Sequence, residues 1–407
     1  MTRPHAAFAV AAPGLAPLVA EELRGIGLRP TAVDEAGVAF AAHDTGVWAA
    51  NLRLRTASRV LVRLGEFRAA DFRTLEREAR ALPWELFLPA GAEPALRVTC
   101  RKSRLYHSDA VAGRVADAIA HRIGGRGAWA PAASDEPDAD APDGADEPDE
   151  PADDGAALPP PLVVVRFLHD VCTVSVDSSG ALLHRRGYRQ AVGRAPLRET
   201  LAAALLLAAG YDGSAPLLDP LCGAGTIPIE AALLARGIAP GRHRRFAFEG
   251  WPRFDAARWR ALLDEADARA LPRAPHPIEG SDRDAGAIAA AAANAARAGV
   301  ADDVRFVERS LSAAEPADGE PGWIVTNPPY GRRVGEAGPL RDLWARLGDL
   351  LRVRHPGGRV ALLGPDPALE RQLRLPLAPA LRTANGGLPV RVLVGRVPTG
   401  APSTVSS

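Results

Sequence analysis

Apolar and polar positions alternate in short runs along the first 180 residues. "AAFAVAA" (6–12) and "GVAFAA" (37–42) read as strands, with "APLVAEELRGIG" (16–27) between them at helical spacing. From Ser58 the pattern becomes strand, helix, strand, helix. "RVLVRLGEF" (59–67) alternates, "FRTLEREARAL" (72–82) has a 3.6-residue period, and "ALRVTC" (95–100) is extended. "DAVAGRVADAIAHRI" (109–123) is a second amphipathic helix, which Ser108 or Asp109 can cap. "PLVVVRFL" (161–168) and "VCTVSVDSSG" (171–180) form a hairpin pattern that needs the earlier strands for company.

After "SGALLHRRGYR" (179–189) the texture changes to regular alternation of helices and strands. "PLRETLAAALLLAAG" is a helix, "APLLDP" a strand and "GTIPIEAALLARG" a helix. Then come strand "HPIEGSD", helix "DAGAIAAAAANAARAG", strands "DVRFVE" and "GWIVTN", helix "LRDLWARLGDLLRV" and strand "GGRVALLG". Such alternation predicts a mostly parallel, doubly wound α/β sheet covered on both faces. No repeat of solenoid period is visible.

Composition changes this picture in one place. Between Ser134 and Gly155, "SDEPDADAPDGADEPDEPADDG" carries 11 acidic residues and no basic ones. It holds almost no large apolar side chain, so it is expected to be a disordered insertion within a domain. Basic and acidic residues balance at 49 each, but without this stretch 49 basic residues stand against 38 acidic. That excess suits a nucleic-acid partner, although a solvated surface can carry the same charge. Lys102 is the single lysine; the other basic residues are arginine, which reads as composition bias.

Cys100, Cys172 and Cys222 form no CxxC pair, which argues against a disulfide framework and a structural zinc, and fits a reducing cytoplasm. "FAVAAPGLAPLVA" (8–20) is broken by Pro13, Gly14 and Pro17 and runs into a helical pattern, so strand, turn and helix is a better reading than a signal peptide. No apolar run reaches membrane-spanning length, and no membrane partner is expected.

Two loops carry the candidate chemistry. In "LLDPLCGAGTIPIEAALLA" (217–235), Gly223 and Gly225 allow close backbone approach to a ligand and lead into a helix whose free N–H groups face it. GxxxxGK[ST] is absent, which removes the P-loop, and Pro228 stands where a dinucleotide fingerprint wants a small residue. Asp219 at the strand tip fits a cofactor with an ammonium group and no pyrophosphate, as in S-adenosylmethionine. Asp282, ending "IEGSD", can accept from both ribose hydroxyls, or can merely cap the next helix. Cys222 reads as a small loop residue, with no reason to call it a nucleophile.

The second loop is "IVTNPPYGRR" (324–333). Pro328 and Pro329 cannot donate to a sheet ladder and hold Asn327 extended, so an apolar strand stops in a stiff corner. Alone, the corner could be only a turn.

Taken in order, "DPLCGAGT", "GSD" and "TNPPYG" resemble the motifs of class I methyltransferases acting on planar amino groups. With "NLRLRTASRVL" (51–61), "LHRRGYR" (183–189), "APLRETLAAALL" (195–206) and "DPLCGAGTIPIEAALLA" (219–235), the chain resembles bacterial THUMP-domain 23S rRNA guanine-N2 methyltransferases over nearly all its length except the acidic insertion. The resemblance implies a ferredoxin-like domain over 1–57, a THUMP RNA-binding domain over 58–180 (the acidic insertion taken as 134–155), and a Rossmann-like class I methyltransferase domain over 181–400. The N-terminal half would then be α+β. It implies S-adenosylmethionine as cofactor without a metal, and 23S rRNA or a large-subunit assembly particle as partner, with a monomer favoured.

On this reading Asn327 Oδ1 and the Pro328 carbonyl accept the two amine hydrogens, Pro329 stiffens the corner, and Tyr330 stacks on a base splayed from its helix. Asp219, Cys222, Gly223, Gly225, Asp282 and Asn327 would line the cofactor. One departure stands out: where related enzymes have an acid that reads the adenine, this chain has Arg309-Ser310, so Ser310 or a backbone carbonyl would have to substitute.

Two basic stretches stay ambiguous. "RHRRFAFEGWPRFDAARWR" (242–260) reads as an insertion whose Trp251, Phe254 and Trp259 pack on the catalytic domain, with its arginines partly on RNA. "LHRRGYR" is expected to line an RNA path, and His184 has no partner motif that would give it catalysis. Rival readings are a non-catalytic RNA-binding assembly factor and an adenine-N6 DNA methyltransferase. A release-factor glutamine methyltransferase shares NPPY but gives the N-terminal half no purpose.

Overall fold

In the computed structural model, residues 3–132, 158, 160–189, 197–315, 321–330 and 337–399 are described. The acidic stretch and Gly331 to Arg333 lie outside the described residues.

The first half is built on strands β1 (His5–Ala11), β2 (Pro30–Asp34), β3 (Gly37–Ala42), β4 (Ala57–Arg68), β5 (Ala95–Arg101), β6 (Ala130–Pro131), β7 (Leu162–Leu168) and β8 (Val171–Asp177). They form one sheet in the order β2-β3-β1-β4-β8-β7-β5-β6. Helices α1 (Ala16–Gly25), α2 (Asp44–Arg53), α3 (Phe72–Ala81) and α4 (Ser108–Ile123) are interleaved with them along the chain. The hairpin of β7 and β8 finds its company as expected: β7 runs parallel to β5, and β8 antiparallel to β4. β4 also pairs with β1, so the sheet is continuous across the expected 57/58 boundary.

Two local expectations need correction. β2 was not foreseen, because only Pro30 of its five residues is even partly buried and the run has no apolar face. The N-cap of α4 is His107, whose side chain makes no capping bond; Ser108 and Asp109 lie within the first turn.

The second half holds β9 (Leu217–Asp219), β10 (Ile278–Asp282), β11 (Val304–Glu308), β12 (Trp323–Thr326), β13 (Arg359–Gly364), β14 (Ala378–Asn385) and β15 (Leu388–Arg396). Their order is β11-β10-β9-β12-β13-β15-β14. The first five are parallel, as the alternation predicts, with helices α5 (Glu199–Ala208), α6 (Thr226–Ala235), α7 (Ala256–Ala268), α8 (Ala285–Arg297) and α9 (Ala337–Arg354) interleaved. β15 is antiparallel to β13 and to β14, a closing hairpin that the sequence reading lacked. Helix α7 was missed too; its first turn lies in the stretch 242–260 that was read as a packing insertion. Strand order reverses at β9, with β10 on one side and β12 on the other. In open α/β sheets the crevice at the carboxyl ends of such strands is where ligands sit.

The two halves meet in a dense seam. Trp48 on α2 stacks on Phe248 at 5.6 Å between ring centroids and meets Phe254 and Trp259 edge-on at 5.5 and 6.5 Å. Phe87 meets Trp251 at 4.9 Å. The aromatics of 242–260 therefore pack, as expected, but they also reach into the N-terminal half. Their arginines are engaged as well: Arg253 pairs with Asp44, Arg242 with Asp267, and Arg244 donates to the Leu182 carbonyl.

The run 183–189 needs correction as well. Arg186 is buried, donating to the Leu183 and Arg55 carbonyls, and Arg189 pairs with buried Glu199 at 2.9 Å. His184 is buried, and its imidazole is held well below the usual range by desolvation and then by Arg198, Arg185, Arg189 and Arg186. In this run only Arg185 is fully exposed, so the segment is a strut between the halves and does not line a basic path.

Candidate functional site

Three neighbouring strands end together. β9 ends at Asp219, β10 at Asp282, and β12 runs into Asn327, which places the glycine loop and the proline corner around one crevice.

The loop after β9 needs its glycines for different reasons. Gly223 has φ +51°, and a Cβ there would meet nothing within 4 Å, so its face is open to a ligand. Gly225, φ +84°, caps α6; a Cβ there would stand 2.8 Å from Ala291 and 2.9 Å from Phe306. One glycine thus admits something, and the other lets the loop seat on α8 and β11. Asn294 on α8 fixes the loop, donating to the Ala224 carbonyl at 3.1 Å while its own Oδ1 accepts from Arg297.

Asp219 is buried at the tip of β9. Its Oδ1 accepts from the Leu221 N–H at 3.1 Å and from the Thr326 hydroxyl at 2.6 Å, which ties the glycine loop to the proline corner. No described donor reaches Oδ2. Desolvation pushes the carboxyl up to about 7, against the Thr326 and Leu221 hydrogen bonds that lower it. Asp282 accepts from the Gly223 and Asp284 N–H groups, each at 3.1 Å. The helix-capping alternative for Asp282 is overturned, because Asp284 caps α8 by accepting from Gly286 and Ala287.

Cys222 is buried, its N–H donates to the Ser281 carbonyl at 3.0 Å, and burial raises its thiol pKa far above neutrality. It is no thiolate, in keeping with a small loop residue. Ser310 is exposed, just beyond β11, with its hydroxyl 3.2 Å from that of Ser312. Neighbouring Arg309 turns away to Glu279 at 2.9 Å, while its N–H bonds the Asp282 carbonyl.

In the corner, Asn327 Oδ1 is buried and has no hydrogen-bond partner among the described residues. No described N–H reaches the Pro328 carbonyl. The rest of the corner is braced from behind. Trp344 on α9 donates to the Pro329 carbonyl at 3.3 Å, and Asn385 at the end of β14 donates to the Tyr330 hydroxyl. Tyr330 is half-buried, and desolvation raises its phenol pKa. A buried acceptor without a donor calls for a physical reason, and at the carboxyl ends of these strands a ligand's N–H supplies one.

Thr326, Trp344, Asn385 and Asn294 were not singled out by sequence reasoning. Asn294 had a signal: it is the single polar side chain within "AIAAAAANAA", at a helical position where alanine is intrinsically better. The bracing residues had none, because they come from elements remote in sequence. Among the described residues, no group of three or more His, Cys, Asp or Glu is placed to hold a metal ion. Nor is any helix there long and apolar enough to cross a membrane.

Comparison with known proteins now becomes informative. Residues 186–378 match the family described as RMKL-like, methyltransferase domain, and residues 6–61 match the RlmL ferredoxin-like domain. A ribosomal RNA large subunit methyltransferase K/L from Syntrophotalea carbinolica is 37% identical over 97% of this chain; the chain spans 54% of that protein's length, about half of it. A Synechocystis protein designated an RNA methyltransferase is 34% identical, with 96% of each chain covered.

Among solved structures, one designated a methyltransferase and complexed with SAH superposes with a TM-score of 0.81 at 27% identity, covering 98% of this chain and all of that one. A predicted N6-adenine-specific DNA methylase from Listeria monocytogenes gives 0.82 at 31% identity, with 97% of each covered. The chain belongs to a family of RNA methyltransferases built from an N-terminal RlmL-type ferredoxin-like domain and a C-terminal RMKL-like methyltransferase domain.

Proposed function

We propose that this chain transfers a methyl group from S-adenosylmethionine to the exocyclic N2 amine of a guanine in large-subunit rRNA. The observation that carries the reading is the orphaned Asn327 Oδ1, buried at the tip of β12 beside a glycine loop open to a ligand. S-adenosylmethionine, when bound, supplies a methyl carbon on a positively charged sulfur that leaves with the bonding pair. Asp219 Oδ2 would hold the ammonium group, Asp282 the ribose hydroxyls, and the backbone at Gly223 would let the cofactor approach. Ser310, exposed just beyond β11, would read the adenine.

An exocyclic amine is a poor nucleophile because its lone pair is delocalised into the ring. Asn327 Oδ1 and the Pro328 carbonyl accept its two hydrogens, so the nitrogen pyramidalises and aims that pair at the methyl carbon. The surplus proton is then lost to water. Positioning and fixed dipoles directed at developing positive charge do the catalysis. Tyr330, its hydroxyl tied to Asn385, presents a ring of fixed tilt on which the base stacks. In this reading the segment 58–180 acts as a THUMP domain that engages RNA, and the protein works in the cytoplasm.

The direct test incubates the purified chain with S-adenosylmethionine and large-subunit rRNA or plasmid DNA, followed by nucleoside mass spectrometry. N2-methylguanosine in the RNA is expected. N6-methyladenine in the DNA would favour the chemistry named for the Listeria relative, and no methylation at all would leave a binding factor.

Cofactor affinity carries a pH signature. Desolvation lifts Asp219 to about 7 in the free protein, so below that pH the carboxyl is mostly protonated and neutral. An ammonium group favours the carboxylate, so binding below pH 7 must release a proton. Affinity is therefore expected to rise about tenfold from pH 6 to pH 8 and then level off. Titration calorimetry in buffers of different ionisation enthalpy checks this, and Asp219→Asn should flatten the slope.

A further inference from the structure

One exposed feature is not absorbed by the methyl-transfer site: the loop between β5 and α4. Arg101, Lys102, Arg104, Tyr106 and His107 are all exposed there, and Tyr106 is 68% exposed, the one aromatic among the exposed large apolar residues of the described chain. Its ring lies 4.0 Å from that of His107 between centroids. Exposed Leu168, the register partner of Arg101 on β7, extends the apolar part of the patch. Among the described residues no carboxylate pairs with Arg101, Lys102 or Arg104. The acidic residues at hand are Asp109 in the first turn of α4 and Asp170.

The loop is built rather than loose. Asp170 accepts from the Arg104 N–H at 2.7 Å, and the Ser103 hydroxyl bridges the Arg101 carbonyl at 2.9 Å and the Asp170 N–H at 3.0 Å. Leu105 plugs into the core between the exposed basic residues and Tyr106. Lys102 takes φ +48°, and the facing turn has His169 and Asp170 at +51° and +61°. Left-handed backbone at three non-glycine residues is uncommon, and it fixes how the basic side chains leave the surface.

From this geometry we infer that the loop 101–107 is a docking platform for a single-stranded stretch of RNA, with a base stacked on Tyr106 and phosphates on Arg101, Lys102 and Arg104. An exposed ring gives any base a face to stack on, and flanking fixed cations follow a backbone; together they are what single-stranded nucleic acid needs. The inference rests on the reading of RNA as substrate and adds where the strand is gripped outside the methyl-transfer crevice.

The sequence itself provides a probe, since Lys102 is the chain's single lysine and its ε-amine is the one side-chain target for an amine-selective reagent. The experiment uses the full chain and a fluorescent single-stranded 12-mer oligoribonucleotide, read by anisotropy at several salt concentrations. Tyr106→Ala is expected to weaken binding about 30-fold, the middle of the range for losing one stacked base, while Tyr106→Phe stays within about twofold. Lys102→Glu is expected to weaken binding and to reduce the salt slope by about 0.7, the value for one phosphate contact on a single strand. Saturating oligonucleotide should slow amine labelling of Lys102.

Cofactor affinity, measured on the same samples, reports that the variants are folded. If the parent binds the 12-mer while Tyr106→Ala and Lys102→Glu bind it equally well, or if labelling of Lys102 is indifferent to RNA, the platform is disproved and the methyl-transfer reading stands. If the parent binds no RNA at all, both fall together.

Discussion

Replacing Asn327 by alanine is expected to slow methyl transfer at least 100-fold while cofactor affinity changes by no more than a few-fold. The reason is local. Strand β12 delivers Asn327 to the crevice, Pro328 and Pro329 keep it extended, and Thr326 just before it is bonded to Asp219. Its Oδ1 is buried with no donor among the described residues, so the acceptor is free to take a hydrogen from a ligand. An acceptor held in this way need not reorganise as positive charge develops on the amine. Losing one such preorganised partner costs about 3 kcal/mol in the barrier, by analogy with oxyanion-hole donors.

The cofactor contacts assigned to Asp219, Asp282 and Gly223 are untouched by the change. Single-turnover rates at saturating cofactor, set beside calorimetric affinities, separate the two effects. An alanine variant that methylates at the parent rate would remove Asn327 from the mechanism.

Much of the second half was legible because its signals are local. The alternation of strands and helices, the paired glycines and the double proline each report backbone geometry that the residue itself dictates. Asp282 needed the structure only to transfer the capping role to Asp284, two residues on, since both positions offer the same chemistry in sequence. What was not legible is long-range. Nothing near Asn385 says that it will reach the Tyr330 hydroxyl, because the β14–β15 hairpin must first return against β13.

The basic run 183–189 misled for a related reason. Arginines there were read by charge, whereas Arg186 and Arg189 are interior struts to carbonyls and to Glu199. In a chain with almost no lysine, arginine serves both inside and outside, and charge alone does not separate the two uses. Lys102 and its neighbours differ in being exposed around an unburied ring.

The largest stability loss is expected from Trp48→Ala, at about 4 kcal/mol, within the range for emptying a buried tryptophan site. Trp48 is 2% exposed and lies on α2, in the ferredoxin-like domain, yet its three ring partners, Phe248, Phe254 and Trp259, belong to the methyltransferase half. Each such ring pair contributes about 1 kcal/mol beyond the area it buries. The cavity left by alanine cannot close without moving α7 or α2, and both are held by other contacts, Asp44 of α2 to Arg253 and Arg53 to Glu265. Trp48→Phe should cost less, because it keeps a ring and removes an indole N–H that is buried without a partner.

Urea unfolding followed in parallel by tryptophan fluorescence and far-ultraviolet circular dichroism measures both variants. For Trp48→Ala the two signals should also separate, because halves that no longer share a sound seam lose their common transition. A loss below about 1 kcal/mol, with the two signals still coincident, would mean that the seam is carried by the polar contacts of Arg55 with the Ile238 carbonyl and of Arg186 with the Arg55 carbonyl, and not by the rings. The functional consequence follows from the same geometry. The crevice at β9, β10 and β12 does not include α2, so Trp48→Ala should leave cofactor affinity near the parent value.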